Sequence, residues 1–514
     1  MRDWLRREPI VIASGRGAVL RDTRGRDYLD ANSSIWTNLH GHRQPQIDAA
    51  IRRQLGKISH CSALGLANEP ASLLASRLVD VANPVPDGTG TPQRGKAQRL
   101  PSARRLGKVF YSDDGSTAME VALKLAYEFA RRARGLKHPR FLSLEGAYHG
   151  DTVGATSLGH IDLFHKAWAG LRFKTDAVMA PYCYRCPFNR ARPERADARE
   201  YRKCDWECVR AVEQKFAAKA REPYAAMVVE PLIQGAAGMI PQPRGWLRRV
   251  AEIVRGSGAQ LIADEVMTGF GRVGQASRLP GFISESGSVA NCSREKQGRR
   301  DACPTLFACH HEGVQPDFLA VAKGLTGGYL PMAATLTTQS VFDAFLGDYD
   351  EFKTFFHGHS YTGNPLGAAA ALASLELLQS SASLRGRRVL EQTMRDALKS
   401  LWSLPQVGDV RQVGLMAGVE LVREGSTRAP FELRERAGIR VCEAMAARGV
   451  LTRPIGNVVV LMPPYCTTPA QARRMVAALH DAVGEVFPDG ARTFSCHSSG
   501  LSRKNPPCPR TRRS

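Results

Sequence analysis

The sequence predicts an α/β protein in which a large domain, built on a mostly parallel sheet covered by helices, is followed by a smaller α/β domain. Three observations lead there. Between about residues 109 and 336 the apolar runs KVFYS, RFLSLEG, AAMVVEP, AQLIADE, DFLAVAK and MAATLTT alternate with helical patterns such as STAMEVALKLAYEFARRA and GWLRRVAEIVRGSG. Strands separated by helices build parallel sheets with both faces covered. A chain of 514 residues, 43% of them hydrophobic, can bury a large core and form more than one domain. A second series then follows between residue 338 and about 490, with LGAAAALASLELLQ and RERAGIRVCEAMAARG helical and VVVLMPPY a strand.

Taken in order, residues 11 to 30, VIASGRGAVLRDTRGRDYLD, predict a hairpin turning at glycines, within an N-terminal segment (1–45) assigned to the small domain. The large domain is expected over 46–337 with inserted loops at 88–108 and 276–305, the small domain over 338–490, and a disordered basic tail over 491–514. The net charge of +22 suggests a nucleic-acid partner, but 14 of those charges lie in the two insertions and the tail. These stretches are rich in Gly, Pro, Ser and Arg and lack periodicity, so they read as loosely ordered excursions, with no nucleic-acid partner expected.

No apolar run approaches the roughly 20 residues that span a bilayer, and the opening MRDWLRREPI has no signal-peptide pattern. A cytoplasmic protein without membrane contact is expected, its twelve cysteines as free thiols. Cys183 and Cys186 in CYRC, with Cys204 and Cys208 in CDWEC, loosely fit a zinc site. The second pair is CxxxC and no histidine lies between the pairs, so free thiols are preferred and no metal is predicted.

The chemistry concentrates at strand ends. At 318–331, FLAVAKGLTGGYLP sets Lys323 directly after a buried strand, where desolvation disfavours the ammonium and makes the amine nucleophilic. Taken by itself, this stretch reads more simply with the lysine as the first solvated residue after the strand. LIADEVMTGFGRVG puts Asp264 in the corresponding position after its own strand. In YSDDGSTAMEVALKLA, Gly115, Ser116 and Thr117 open a helix whose free N–H groups suit a phosphate or an ordinary cap. EGAYHGDT offers Tyr148 as a flat ring, or as a packed loop aromatic. A buried lysine, an aspartate, a phosphate-binding helix start and an aromatic platform together are what pyridoxal phosphate requires.

DEVMTGFGRVG, AKGLTGGYLP, AYHGDT and HGHSYTGNPLGAAAA resemble motifs of the class III, or ω-, aminotransferases, from about residue 8 to 487 apart from the insertions. The resemblance implies the fold type I of PLP-dependent transferases, pyridoxal 5'-phosphate as cofactor, and a homodimer with shared active sites. It implies Lys323 as Schiff-base lysine and proton shuttle, Asp264 as partner of the pyridine nitrogen, and Tyr148 as the ring-stacking residue. Gly115 and Ser116 would hold the phosphate, and the hydroxyl of Ser360 would reach the phosphate of the neighbouring subunit. Gly358, in the same HGHSY stretch, is assigned to the substrate site. Glu230 and Gln234, in VVEPLIQGAAG, would lie beside the cofactor, although Glu230 suits a structural role equally well.

Within the family, NSSIWTNLHGH and TRPIGNVVVLMPPY are similar to the branch that aminates 7-keto-8-aminopelargonate to 7,8-diaminopelargonate in biotin biosynthesis. That likeness implies that Trp36 and Tyr148 line the substrate site and that Arg453 binds the carboxylate of the keto acid as a bidentate pair. Ile35 stands where members using S-adenosylmethionine carry a second tryptophan, and the Ile35-Trp36 pair is more similar to the branch using lysine. The donor stays open between the two. Relatives also carry a segment resembling HPxTQM ahead of the first strand, and here the sequence opens where it would end. That implies a start downstream of the natural one or a pocket lacking one wall. Two rival readings are an aminotransferase for an ω-amino acid, ornithine or 4-aminobutyrate, and a non-catalytic nucleic-acid-binding protein on the same scaffold.

Overall fold

The computed structural model describes residues 8–83, 104–193, 197–218, 223–274 and 305–488. The expected loops at 88–103 and 276–304 and the tail at 491–514 lie outside those residues. The ends of the two insertions are part of the fold: residues 106 to 108 begin a strand, and Thr305 is buried with its hydroxyl donating to the Phe307 carbonyl.

The described strands are β1 (Ile12–Arg16), β2 (Val19–Asp22), β3 (Asp27–Asp30), β4 (Leu106–Ser112), β5 (Arg140–Leu144), β6 (Asp176–Val178), β7 (Tyr224–Val229), β8 (Ile233–Gln234) and β9 (Ile240–Pro241). They continue with β10 (Gln260–Asp264), β11 (Phe318–Val321), β12 (Ala333–Thr338), β13 (Val407–Val413), β14 (Met416–Glu424), β15 (Ala429–Pro430), β16 (Val450–Leu451), β17 (Pro454–Ile455) and β18 (Val458–Leu461). The longer helices are α1 (Pro45–Leu55), α2 (Glu69–Ala82), α3 (Gly115–Arg134), α4 (Glu207–Ala218), α5 (Trp246–Gly256), α6 (Pro365–Gln379), α7 (Ser381–Leu398), α8 (Ala437–Ala447) and α9 (Pro469–Val486).

The central sheet has seven strands in the order β4-β12-β11-β10-β7-β5-β6. β10 runs parallel to β7 and β11, and β5 runs parallel to β6 and β7, while β12 is antiparallel to both β11 and β4. Every residue of β7, β10, β11 and β12 is buried. Covered faces on both sides account for these strands reading as continuous apolar runs without alternation. All six strands expected between residues 109 and 336 belong to this sheet. The seventh, β6, was missed because three residues, DAV, carry too little pattern.

Helix α3 shows why its segment folds as it does. Asp114 caps it, its side chain accepting from the Thr117 N–H at 2.9 Å in a reciprocal capping box. Gly135 ends it at φ 66°, a conformation that only glycine adopts freely. Between them Ala118, Met119, Val121, Ala122, Leu125 and Ala126 form one buried stripe against the sheet.

Residues 11–30 form three antiparallel strands instead of the single hairpin expected, because DTRG makes a second turn between β2 and β3. β3 then pairs in parallel with β16, Leu29 opposite Val450. A further sheet, β13-β14-β18-β17 with β15 on β14, is tied to the turn just before β9 by buried Arg411. Its guanidinium donates to Asp409 at 2.9 Å, to Glu420 at 2.7 Å and to the carbonyls of Gly238 and Met239. A buried cation needs all of these acceptors, and losing one acid costs about 3–5 kcal/mol.

Candidate active site

Parallel pairing of β10 and β11, with Asp264 opposite Ala320, brings Asp264 and Lys323 to the same edge of the sheet. The carboxyl ends of parallel strands are where such sheets hold ligands. A cavity of about 460 Å³ opens there. Among its lining residues are Trp36, Gly115, Ser116, Tyr148, Glu230, Asp264 and Lys323, drawn from six separate stretches of the chain.

Lys323 opens a 3-10 turn with φ 28°, a left-handed backbone unusual for a residue with a side chain. Burial pushes its ammonium below the ordinary lysine value. Asp264 and Glu230 pull it partly back, and Arg272 adds to the depression. The Nζ atom lies 4.8 Å from the centroid of the Trp36 indole.

Asp264 is buried and held from two sides. The ring Nδ1 of His149 donates to its Oδ2 at 2.7 Å, and the Val266 N–H donates to its Oδ1 at 3.1 Å. Glu230 is buried beside it; burial and the Asp264 charge raise its carboxyl to about 7 against the pull of His149, with its Oε2 accepting from the Gly235 N–H at 2.8 Å. Tyr148 is half-buried, its hydroxyl donating to Asp151 at 2.9 Å, and burial raises its phenol well above the ordinary value.

The start of α3 presses closely on this edge. A Cβ on Gly115 would lie 2.6 Å from the Val266 side chain, so only glycine lets the helix reach the exit of β10. Gly150, at φ 127°, likewise lets the Tyr148–Asp151 loop lie against Ser116, whose hydroxyl accepts from the Asp151 N–H at 3.1 Å. These features fit pyridoxal phosphate. A buried lysine, an anchored carboxylate, a half-buried ring and the first turn of α3, at Gly115 and Ser116, face one cavity. Gln234 Oε1, behind the lining, is buried without a hydrogen-bond partner among the described residues.

The remaining sequence candidates lie elsewhere in the single chain. Gly358 and Ser360 sit on an exposed loop, Arg453 is exposed between β16 and β17, and none of the three lines the cavity. Gln234 is fully buried behind the lining, its amide donating to the Glu145 carbonyl at 3.2 Å. His149, the residue that holds Asp264, was not singled out from the sequence, although it stands inside AYHGDT next to Tyr148. No group of three or more His, Cys, Asp or Glu that could hold a metal occurs among the described residues, the four cysteines included. Nor is any described helix long and apolar enough to cross a membrane.

The fold and this site define a PLP-dependent aminotransferase. The class III aminotransferase family model matches residues 3–277 and 302–483, and the chain belongs to that family. Among similar proteins, the adenosylmethionine-8-amino-7-oxononanoate aminotransferase of Geobacter sulfurreducens is 42% identical over 95% of this chain and 94% of its own length. The enzyme of the same name from Methanocaldococcus jannaschii has a solved structure that superposes with a TM-score of 0.77 at 35% identity, covering 94% of this chain and 95% of that one. An amine transaminase from an uncultivated Pseudomonas species, solved in its PLP-bound form, superposes at 0.75 with 29% identity, covering 94% and 96%.

Proposed function

We infer that this chain transfers an amino group to 8-amino-7-oxononanoate, giving 7,8-diaminopelargonate in biotin biosynthesis. The observation that carries this reading is the cavity in which Lys323, Asp264 and the Trp36 indole meet, in a chain 42% identical to an enzyme named for that substrate.

Pyridoxal phosphate, when bound, supplies the electron sink that stabilises negative charge beside the amino-bearing carbon. The chain supplies the rest. Lys323, its amine freed by the depressed pKa, moves the proton at the substrate carbon. Asp264, anchored by His149, holds the proton on the ring nitrogen of the cofactor. The N–H groups of Gly115 and Ser116 at the start of α3 take the phosphate, where the helix dipole favours negative charge. Tyr148 packs on the ring, and Trp36 walls the path along which the keto acid enters.

The exposed loop carrying Gly358 and Ser360 fits a role across a homodimer, in which Ser360 completes the phosphate site of the partner. Exposed Phe356 and Tyr361 flank it with apolar area suited to such an interface. Arg453 takes the carboxylate of the keto acid, and the protein works in the cytoplasm. The donor is S-adenosylmethionine or lysine. The test is to supply the purified protein with pyridoxal phosphate, the keto acid and each donor in turn, and to measure the diamine by mass spectrometry. Diamine with one donor supports the reading, whereas turnover of ornithine or 4-aminobutyrate alone replaces it.

A further inference from the structure

Residues Ser33 to Trp36 run through four consecutive positive φ angles, 46°, 47°, 66° and 68°. Left-handed backbone is unfavourable for any residue with a Cβ, and none of these four is glycine. Such a turn persists only where its surroundings over-determine it.

Besides the turn's own backbone bonds, Trp36 N–H to the Asn32 carbonyl at 2.8 Å and Thr37 N–H to the Ser33 carbonyl at 2.9 Å, one side chain grips it at several points. Asp30, at the end of β3 and 2% exposed, accepts from the Ser34 N–H at 3.0 Å, the Ser34 hydroxyl at 3.0 Å and the Asn32 N–H at 3.2 Å. Its Oδ2 also meets His42 Nε2 at 3.1 Å, and the other ring nitrogen of His42 meets Asn38 Nδ2 at 3.0 Å. From the opposite side, the Ser33 hydroxyl donates to the Met462 carbonyl at 2.7 Å. The turn ends with the Trp36 indole N–H donating to Asn32 at 2.8 Å and the ring 4.8 Å from Lys323 Nζ. Asp30 itself does not line the cavity.

We propose that Asp30 is a positioning residue that, braced by His42, holds the Ser33–Trp36 turn left-handed and thereby sets the Trp36 indole against Lys323. The carboxylate acts on the site only through the turn. Without it the backbone relaxes toward ordinary φ values, and the indole leaves both the lysine and the substrate path. The kinetic part of the test rests on the aminotransferase reading, and the fluorescence part does not.

The test uses Asp30→Asn and Ser34→Ala, each made with and without Trp36→Phe, on the full chain. Subtracting the emission of Trp36→Phe from that of the parent isolates Trp36 among the six tryptophans. In the cofactor-free protein, Asp30→Asn should shift the Trp36 component to the red and raise its acrylamide quenching about twofold, an indole tip otherwise half-buried becoming wet. In the loaded enzyme, kcat/KM for the keto acid should fall about tenfold with Trp36 present and less than about twofold with phenylalanine there, as expected of residues acting as one unit. Ser34→Ala, at an exposed position, should fold normally and show the same pattern at about a threefold loss. Should Asp30→Asn fail to fold, Ser34→Ala decides alone. An unchanged Trp36 emission in the folded variants, or equal losses with and without Trp36, overturns the proposal.

Discussion

His149 Nδ1 donates to Asp264 Oδ2 at 2.7 Å, both groups buried, so the carboxylate that faces the cavity is held by a histidine one position beyond Tyr148. The bond joins the exit of β10 to the loop after β5. Breaking it leaves Asp264, among the described residues, with the Val266 N–H. A hydrogen bond to a charged group contributes about 1.5–3 kcal/mol, so His149→Ala should lower kcat/KM roughly ten- to hundredfold. His149→Asn, which keeps a donor near the Nδ1 position, should recover part of that. Equal losses in the two variants would show that the ring acts by its bulk and not by its bond.

Glu230 sets a pH dependence of stability. Its folded carboxyl titrates near 7 against an ordinary 4.5, so the folded state holds a proton that the unfolded state releases. Stability from this group is therefore complete below about pH 4.5 and declines as pH rises through 7, by up to about 1.4 kcal/mol per pH unit. Glu230→Gln, neutral throughout, should make the decline shallower, the remainder coming from Glu265, whose buried carboxyl is also raised to about 7. Melting curves of the cofactor-free protein between pH 5 and 8 report this, and parallel curves for both proteins would refute it.

The family match skips residues 278 to 301. On either side of this gap the chain is well held: the Gly271 N–H donates to the Leu306 carbonyl at 3.0 Å, and Thr305 is buried. Replacing 276–304 by a short glycine-serine link, with Thr305 kept, should leave cofactor binding intact and move Tm by only a few degrees, since the cost of loop closure varies slowly with length. Loss of cofactor binding would show that the excised stretch supports the site.

Arg453 is exposed in the single chain, and we propose that it pairs with the keto-acid carboxylate once the bound acid covers it, so that its contribution lies at the low end of the range for buried contacts. Arg453→Ala should cost about 2 kcal/mol, roughly thirtyfold in kcat/KM for the keto acid. The half-reaction with the amino donor should change less. Stopped-flow measurement of each half-reaction separates the two, and equal losses would argue against a carboxylate anchor.

The contrast between sequence and structure follows from the range over which each feature is encoded. β7, β10 and β11 announce themselves locally because strands covered on both faces are apolar throughout, and Lys323 and Asp264 stand out as the polar residues that end two of them. The three residues of β6 and the second turn before β3 carry no comparable local signal. His149 acts through a partner 115 residues away, Asp264, and Asp30 is braced by one 12 residues away, His42, and no spacing rule connects either pair. The left-handed turn at Ser33–Trp36 is hidden for a related reason. SSIW contains no glycine, and its conformation is imposed by Asp30 and Met462 from outside.

The proposed role of Lys323, in an aminotransferase acting on 8-amino-7-oxononanoate, is open to direct test. The most direct measurement is conversion of that keto acid to the diamine by the purified parent and by Lys323→Ala, both supplied with pyridoxal phosphate and with S-adenosylmethionine or lysine, with bound cofactor followed by absorbance. The parent should give diamine with at least one donor, and the variant should lose turnover by several orders of magnitude, because no other group among the lining residues of the cavity is an amine. Turnover by Lys323→Ala close to that of the parent, or no diamine from a cofactor-loaded parent with either donor, would contradict that role.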